Sequence, residues 1–172
     1  DVKSTINHAE SAIKTGLHGV FFFGSTGQSQ LVSISEKKDL ISRTATSKYK
    51  DKFYFGTGTN SLKENLDLIR YCMEFGYQTF LIMPPAYYKG NTDKGVYNFY
   101  AEIITQVPKI KIILYNFEKL SGYLFSADAV KNLVNDFPRQ IIGCKDSSYN
   151  IFETLKIPNF KMFPGSEAKL LN

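Results

Sequence analysis

Residues 140–146 read Gln140-Ile141-Ile142-Gly143-Cys144-Lys145-Asp146. The run is short, rich in β-branched side chains, and apolar at neighbouring positions instead of alternating. That is the pattern of a strand covered on both faces. It ends on a lysine, a residue seldom buried without a partner or a purpose. The same design recurs along the chain: residues 19–23, 53–56, 79–83, 111–115 and 160–163 are further nearly continuous apolar runs.

Amphipathic stretches with helix punctuation separate these runs. Val2, Ile6, Ala9 and Ile13 share one helical face, and Gly16 suits the turn that ends it. Ser33 with Glu36, and Ser61 with Glu64, have capping-box spacing. Leu62, Leu66, Ile69 and Met73 then form a stripe up to Gly76, and Val96, Phe99, Ile103 and Ile104 another before Pro108. Ser126 is placed to cap a helix bearing Val130, Leu133 and Val134. Strand–helix alternation of this kind requires parallel strands joined by right-handed crossovers. Both an open doubly wound sheet and a closed barrel satisfy it. The chemically distinctive residues follow five different strands, which favours the barrel, because an open sheet gathers its site at one switch point.

At 172 residues the chain is expected to form a single α/β domain over residues 1–172. A composition of 43% hydrophobic and 22% charged residues excludes disorder. The formal charge of +5 is spread without a run of five like charges. It therefore reads as a solvated surface rather than a nucleic-acid face, and it is compatible with anionic small molecules. Cys72 and Cys144 have no metal-type spacing and read as two buried free thiols. His8 and His18 also lack ligand spacing, so neither metal nor cofactor is expected. No apolar run approaches the roughly 20 residues that span a bilayer, no signal-peptide pattern is visible, and the cytoplasm is the expected compartment.

The segments after the strands carry the chemistry. Gly24-Ser25-Thr26-Gly27 offers backbone amides to a carboxylate or phosphate, but no Gly-Lys-Ser/Thr follows as in a nucleotide loop. Pro84-Pro85-Ala86-Tyr87-Tyr88 is a stiffened exit with paired aromatics, and Tyr115-Asn116 closes an aliphatic strand before Ser121-Gly122. Pro164-Gly165-Ser166-Glu167 equally suits an ordinary helix start. Taken singly, the tyrosines read as packing and Lys145 as a solvated strand-end cation. The alternative for Lys145 is chemical: a lysine deprived of water yields a free amine able to attack a carbonyl.

Taken in order, Gly24-Ser25-Thr26-Gly27, Pro85-Ala86-Tyr87-Tyr88, Tyr115-Asn116, Leu120-Ser121-Gly122 and Gly143-Cys144-Lys145-Asp146 resemble the family of dihydrodipicolinate synthase and N-acetylneuraminate lyase. The resemblance runs over essentially the whole chain. It implies a (β/α)8 TIM barrel and a lyase that holds pyruvate, or a related 2-oxo acid, as a Schiff base on Lys145. Tyr115 would move protons, Ser25 would link it to Tyr88, and Tyr88 would enter the site of a neighbouring subunit. Ser25 and Thr26 would hold the substrate carboxylate, with Gly122, Gly165 and Glu167 near the rest of the substrate. An aldehyde would be the second substrate, and a homotetramer or homodimer is implied; no cofactor, nucleic acid or membrane is.

Departures from the family pattern bear on the substrate. Leu120 stands where dihydrodipicolinate synthases carry an arginine for the second substrate, Gln28 replaces a glutamate, and Glu118 replaces a common proline. The resemblance therefore implies an N-acetylneuraminate lyase-like or 2-keto-3-deoxy sugar-acid aldolase-like lyase ahead of the lysine-biosynthetic synthase. A non-catalytic 2-oxo-acid-binding homologue is the alternative of another class. Such barrels typically run to about 250 residues. The chain is accordingly expected to be a fragment covering about strands 2–7 of the barrel, with its N- and C-terminal parts missing.

Overall fold

The computed structural model describes residues 1–166 and 168. Its strands are β1 (Val20–Phe22), β2 (Phe53–Gly56), β3 (Thr79–Ile82), β4 (Lys111–Asn116), β5 (Ile141–Asp146) and β6 (Lys161–Pro164). All five neighbouring pairs are parallel, and the strand order follows the sequence from β1 to β6. An order that never reverses has no switch point, which removes the doubly wound alternative. The strands curl into a half-barrel, as expected of a barrel-type α/β fold.

Helices α1 (Val2–Lys14), α2 (Ile34–Thr44), α3 (Leu62–Glu74), α4 (Asp93–Gln106), α5 (Glu118–Ser121) and α6 (Ala127–Asp136) lie between or before the strands. Their starts follow the local chemistry. Ser33 accepts the Glu36 N–H while the Glu36 carboxylate accepts the Ser33 N–H, a complete capping box. Ser61 accepts the Glu64 N–H, but Glu64 turns its carboxylate to the Thr59 hydroxyl, so only half of that box forms. Ser126 caps α6 through the Ala129 N–H.

The helix-facing side of the sheet carries the main core. Phe22, Phe55, Phe80, Ile82, Ile112, Leu114 and Cys144 pack there against Ile41, Leu66, Ile69, Ile103 and Leu133. Phe22 packs edge-on to Phe53 at 5.2 Å and stacks on Phe55 at 5.4 Å. Both cysteines are free and buried, as expected. The other, concave face holds a small second cluster of Leu81, Ile113 and Tyr115, flanked by Phe21, Met83, Phe117 and Ile142. A sheet with apolar groups on both faces accounts for the unbroken hydrophobic runs in the sequence.

The strand bounds differ from the sequence reading in two places that matter. β1 stops at Phe22, because Phe23 takes φ 61°, a costly value for a bulky residue, and turns the chain toward Gly24 and Ser25. β5 continues past Cys144 through Lys145 to Asp146. Lys145 is thus held within the sheet instead of following it.

Candidate active site

β4 and β5 pair in a register that sets Tyr115 directly beside Lys145. In parallel strands, residues in register project to the same face, so both side chains emerge on the concave side near the carboxyl ends. The Lys145 Nζ donates to Tyr115 Oη at 3.2 Å and stands 4.3 Å from the ring centroid. An ammonium over a phenol face gains a cation–π contact in addition to the hydrogen bond. The second partner of Tyr115 Oη is Ser25 Oγ at 2.7 Å, delivered by the turn at Phe23. Residues 25, 115 and 145 therefore form a hydroxyl–phenol–amine chain across three segments far apart in sequence.

A cavity of about 200 Å³ opens beside this chain. Its wall includes Phe23, Leu81, Met83 and Leu120, with Ser25 and Tyr115 as polar points. An apolar recess with a few convergent polar groups is the usual form of a small-molecule site. Lys145 stands over the Tyr115 ring, half-buried and outside the lining of this recess. The neighbouring Cys144 points into the helix-side core. Burial, and then the charge of Asp146, push its thiol well above the ordinary range, so it is inert as a nucleophile.

Other residues singled out from the sequence lie around this chain at varying distances. Thr26 is exposed, one residue beyond Ser25. Gly122 sits at φ 72° as the left-handed cap of α5, a conformation that costs glycine nothing. The N–H of Gly165 donates to the Asp146 carbonyl at 3.0 Å, and its bare Cα packs on Ser147 so closely that no side chain fits. Tyr88 is 82% exposed and packs edge-on against Tyr87. Glu167 lies outside the described residues. Among the described residues, no three His, Cys, Asp or Glu side chains gather as a metal site.

Two groups beside the site make contacts that had no reading from the sequence. Lys37 is 1% exposed, with its Nζ donating to the carbonyls of Thr57 and Gly58 at 2.9 and 3.1 Å. It thus ties α2 to the loop after β2. The signal was present, since Lys37, Ile41 and Thr44 share one helical stripe. The other is the N–H of Glu118, which donates to Ser148 Oγ at 2.9 Å. Proline at this position has no such donor, so the departure from the family pattern has a local use.

Comparison with known proteins agrees with this architecture. A model of the Dihydrodipicolinate synthetase family matches residues 1–172. A 4-hydroxy-tetrahydrodipicolinate synthase of Hydrogenobaculum sp. (strain Y04AAS1) is 32% identical over 167 residues, covering 94% of this chain and 57% of that protein. Among solved structures, 2-keto 3-deoxygluconate aldolase from Picrophilus torridus superposes with a TM-score of 0.86 at 26% identity, covering 96% of this chain and 61% of that one. YagE, a prophage protein of E. coli K12 described as belonging to the dihydrodipicolinic acid synthase family and solved with pyruvate, gives a TM-score of 0.83 at 26% identity, covering 96% and 57%. The chain spans a little over half the length of these relatives. With the family model matched from end to end and the half-barrel shared, the chain belongs to the dihydrodipicolinate synthetase family.

Proposed function

We propose that the protein is a Schiff-base lyase in which Lys145 condenses with the ketone of a 2-oxo acid such as pyruvate. The observation that carries this reading is the chain from Ser25 Oγ to Tyr115 Oη at 2.7 Å and on to Lys145 Nζ at 3.2 Å. The free amine adds to the ketone carbon, and the carbonyl oxygen takes one proton from Tyr115, held in place by Ser25, and a second from the nitrogen that has added. Loss of that oxygen as water leaves a protonated imine. Its positive nitrogen draws in the electron pair released when a C3 proton passes to the Tyr115 phenolate, and gives an enamine. The enamine carbon bonds to an aldehyde carbon, and hydrolysis returns the amine; cleavage runs the same steps in reverse. In this reading Ser25 and Thr26 receive the substrate carboxylate, and Gly122, Gly165 and Glu167 lie toward the aldehyde-derived part.

The exposed Tyr87–Tyr88 pair, 80% and 82% accessible, together with Leu31 at 80%, supports a contact with a second copy of the chain. That contact would bring Tyr88 to a neighbouring site in a homodimer or homotetramer. For the aldehyde, Leu120 on the cavity wall favours a hydroxylated, sugar-acid-like or hydroxy-oxo-acid substrate over one needing a cation there. The second reading, a 4-hydroxy-tetrahydrodipicolinate synthase, is favoured by the name of the Hydrogenobaculum relative. Incubation with pyruvate and borohydride, followed by peptide mass spectrometry, tests the proposal. A reduced pyruvate adduct on the Lys145 peptide, absent in Lys145→Ala, is the expected outcome. An unmodified peptide at saturating pyruvate refutes it and leaves a binding protein without turnover.

A further inference from the structure

One step along the strands from Tyr115 and Lys145, the same register pairs Asn116 with Asp146. Both side chains project to the opposite face of the sheet and are fully buried, so neither can touch a substrate. Resting on the Schiff-base reading, we propose that Asn116 and Asp146 are positioning residues: a clamp that fixes the Tyr115 hydroxyl against the Lys145 amine.

The clamp begins at the end of the sheet. The β4–β5 ladder shifts register between Ile112 and Ile113, where Ile112 pairs with Ile141 but Ile113 pairs with Gly143. The disruption is local to the bulge; beyond it four pairs, from Ile113–Gly143 to Asn116–Asp146, run in register to the strand ends, where the side chains of the last pair add a restraint to the ladder. Asn116 Nδ2 supplies it by donating to Asp146 Oδ1 at 2.9 Å. The remaining contacts of Asp146 are also donors. Oδ1 accepts the N–H groups of Ser148 and Tyr149 at 3.0 and 2.8 Å, and Oδ2 those of Ile151 and Phe152 at 3.1 and 2.9 Å. A carboxylate meets five donors without conflict. A carboxamide would turn its own NH2 toward some of them and leave buried donors facing each other. The site therefore specifies an anion.

The clamp also binds the two loops that follow the strands. Asn116 Nδ2 donates to Asn150 Oδ1 at 2.7 Å, Asn150 Nδ2 to the Phe125 carbonyl at 2.7 Å, and the Phe125 N–H to Asn116 Oδ1 at 3.2 Å. The ring closes around the strand ends that carry the phenol and the amine. A displacement of about 1 Å between reacting groups can cost about 100-fold in rate, so loosening this ring acts on chemistry it never contacts.

The test measures borohydride trapping of pyruvate on Lys145 in the purified protein, well below the melting temperature of each variant. Asp146→Asn is expected to lower the trapping rate at saturating pyruvate by about 10- to 100-fold, with half-saturation moved by less than about threefold, and to shift the pH profile of that rate. Asn150→Ala, at an exposed position, removes the outer ties alone and is expected to lower the rate by about three- to tenfold. A purely structural role would lower the melting temperature and leave these rates and the pH profile unchanged. Folded Asp146→Asn trapping within about twofold of wild type overturns the clamp. If Asp146→Asn does not fold, a wild-type rate in Asn150→Ala overturns it. Wild type that forms no adduct on Lys145 instead overturns the Schiff-base reading and the clamp with it.

Discussion

Tyr115→Phe isolates one oxygen atom. Tyr115 is 5% exposed, and its ring packs 6.0 Å from that of Phe117, a contact that phenylalanine keeps. What disappears is the hydroxyl, with its bonds to Ser25 Oγ and Lys145 Nζ. Both former partners are half-buried and regain water, so stability should fall by only about 1 kcal/mol. Catalysis should suffer far more. A positioned proton carrier contributes about 10²- to 10⁴-fold, or roughly 3–5 kcal/mol of barrier at about 1.4 kcal/mol per factor of ten. The assay is the rate of pyruvate–borohydride adduct formation on Lys145, with thermal unfolding run in parallel. The expected result is a slow but complete trapping reaction in a protein of near-native stability. Trapping within about threefold of wild type would refute the role assigned to the phenol.

Three further perturbations probe the rest of the molecule. Burial pushes the Lys37 ammonium below the ordinary lysine value, against the opposing pull of Glu64. Its folded pKa thus lies under its unfolded one, so between them the unfolded chain holds more protons and stability rises with pH. The unfolding free energy of wild type minus that of Lys37→Met should therefore climb as urea titrations move from about pH 7 toward about 10.4; a flat or falling difference contradicts this. Ser33→Ala removes the cap of α2 and should cost about 1 kcal/mol in denaturant unfolding, with adduct formation unchanged. Leu120→Arg puts a cation on the cavity wall. It should raise kcat/KM for an aldehyde bearing a carboxylate by about tenfold relative to a neutral one, the worth of one charge-assisted hydrogen bond.

Most of the fold was legible because its signal is local. Unbroken apolar runs marked the strands to within one or two residues, and hydroxyl caps marked the starts of α2, α3 and α6. The end of β5 was missed because Lys145 and Asp146 break the apolar pattern, while backbone pairing with β4 continues regardless of side-chain polarity. The site was legible only in part. Ser25 and Tyr115 are ninety residues apart, and no spacing rule joins them; the order of family motifs did. The ties of Asp146 run mainly to backbone N–H groups, which every residue but proline carries, so the sequence holds no trace of them. Lys37 lay on a readable stripe, but its charge argued for the surface until the two carbonyls facing it were seen.

The unreversed strand order also shapes how this protein is made. Each strand finds its partner in the unit synthesised just before it, as in the pairing of Val20 with Phe53 and of Phe55 with Phe80. A ribosome adding about 5–20 residues per second releases one such unit every few seconds. The nascent sheet can therefore extend strand by strand across these units without waiting for a distant segment. At every stage, however, its newest strand presents an open edge, so the growing chain recruits its own next unit or a stray one from a neighbour, depending on which arrives first.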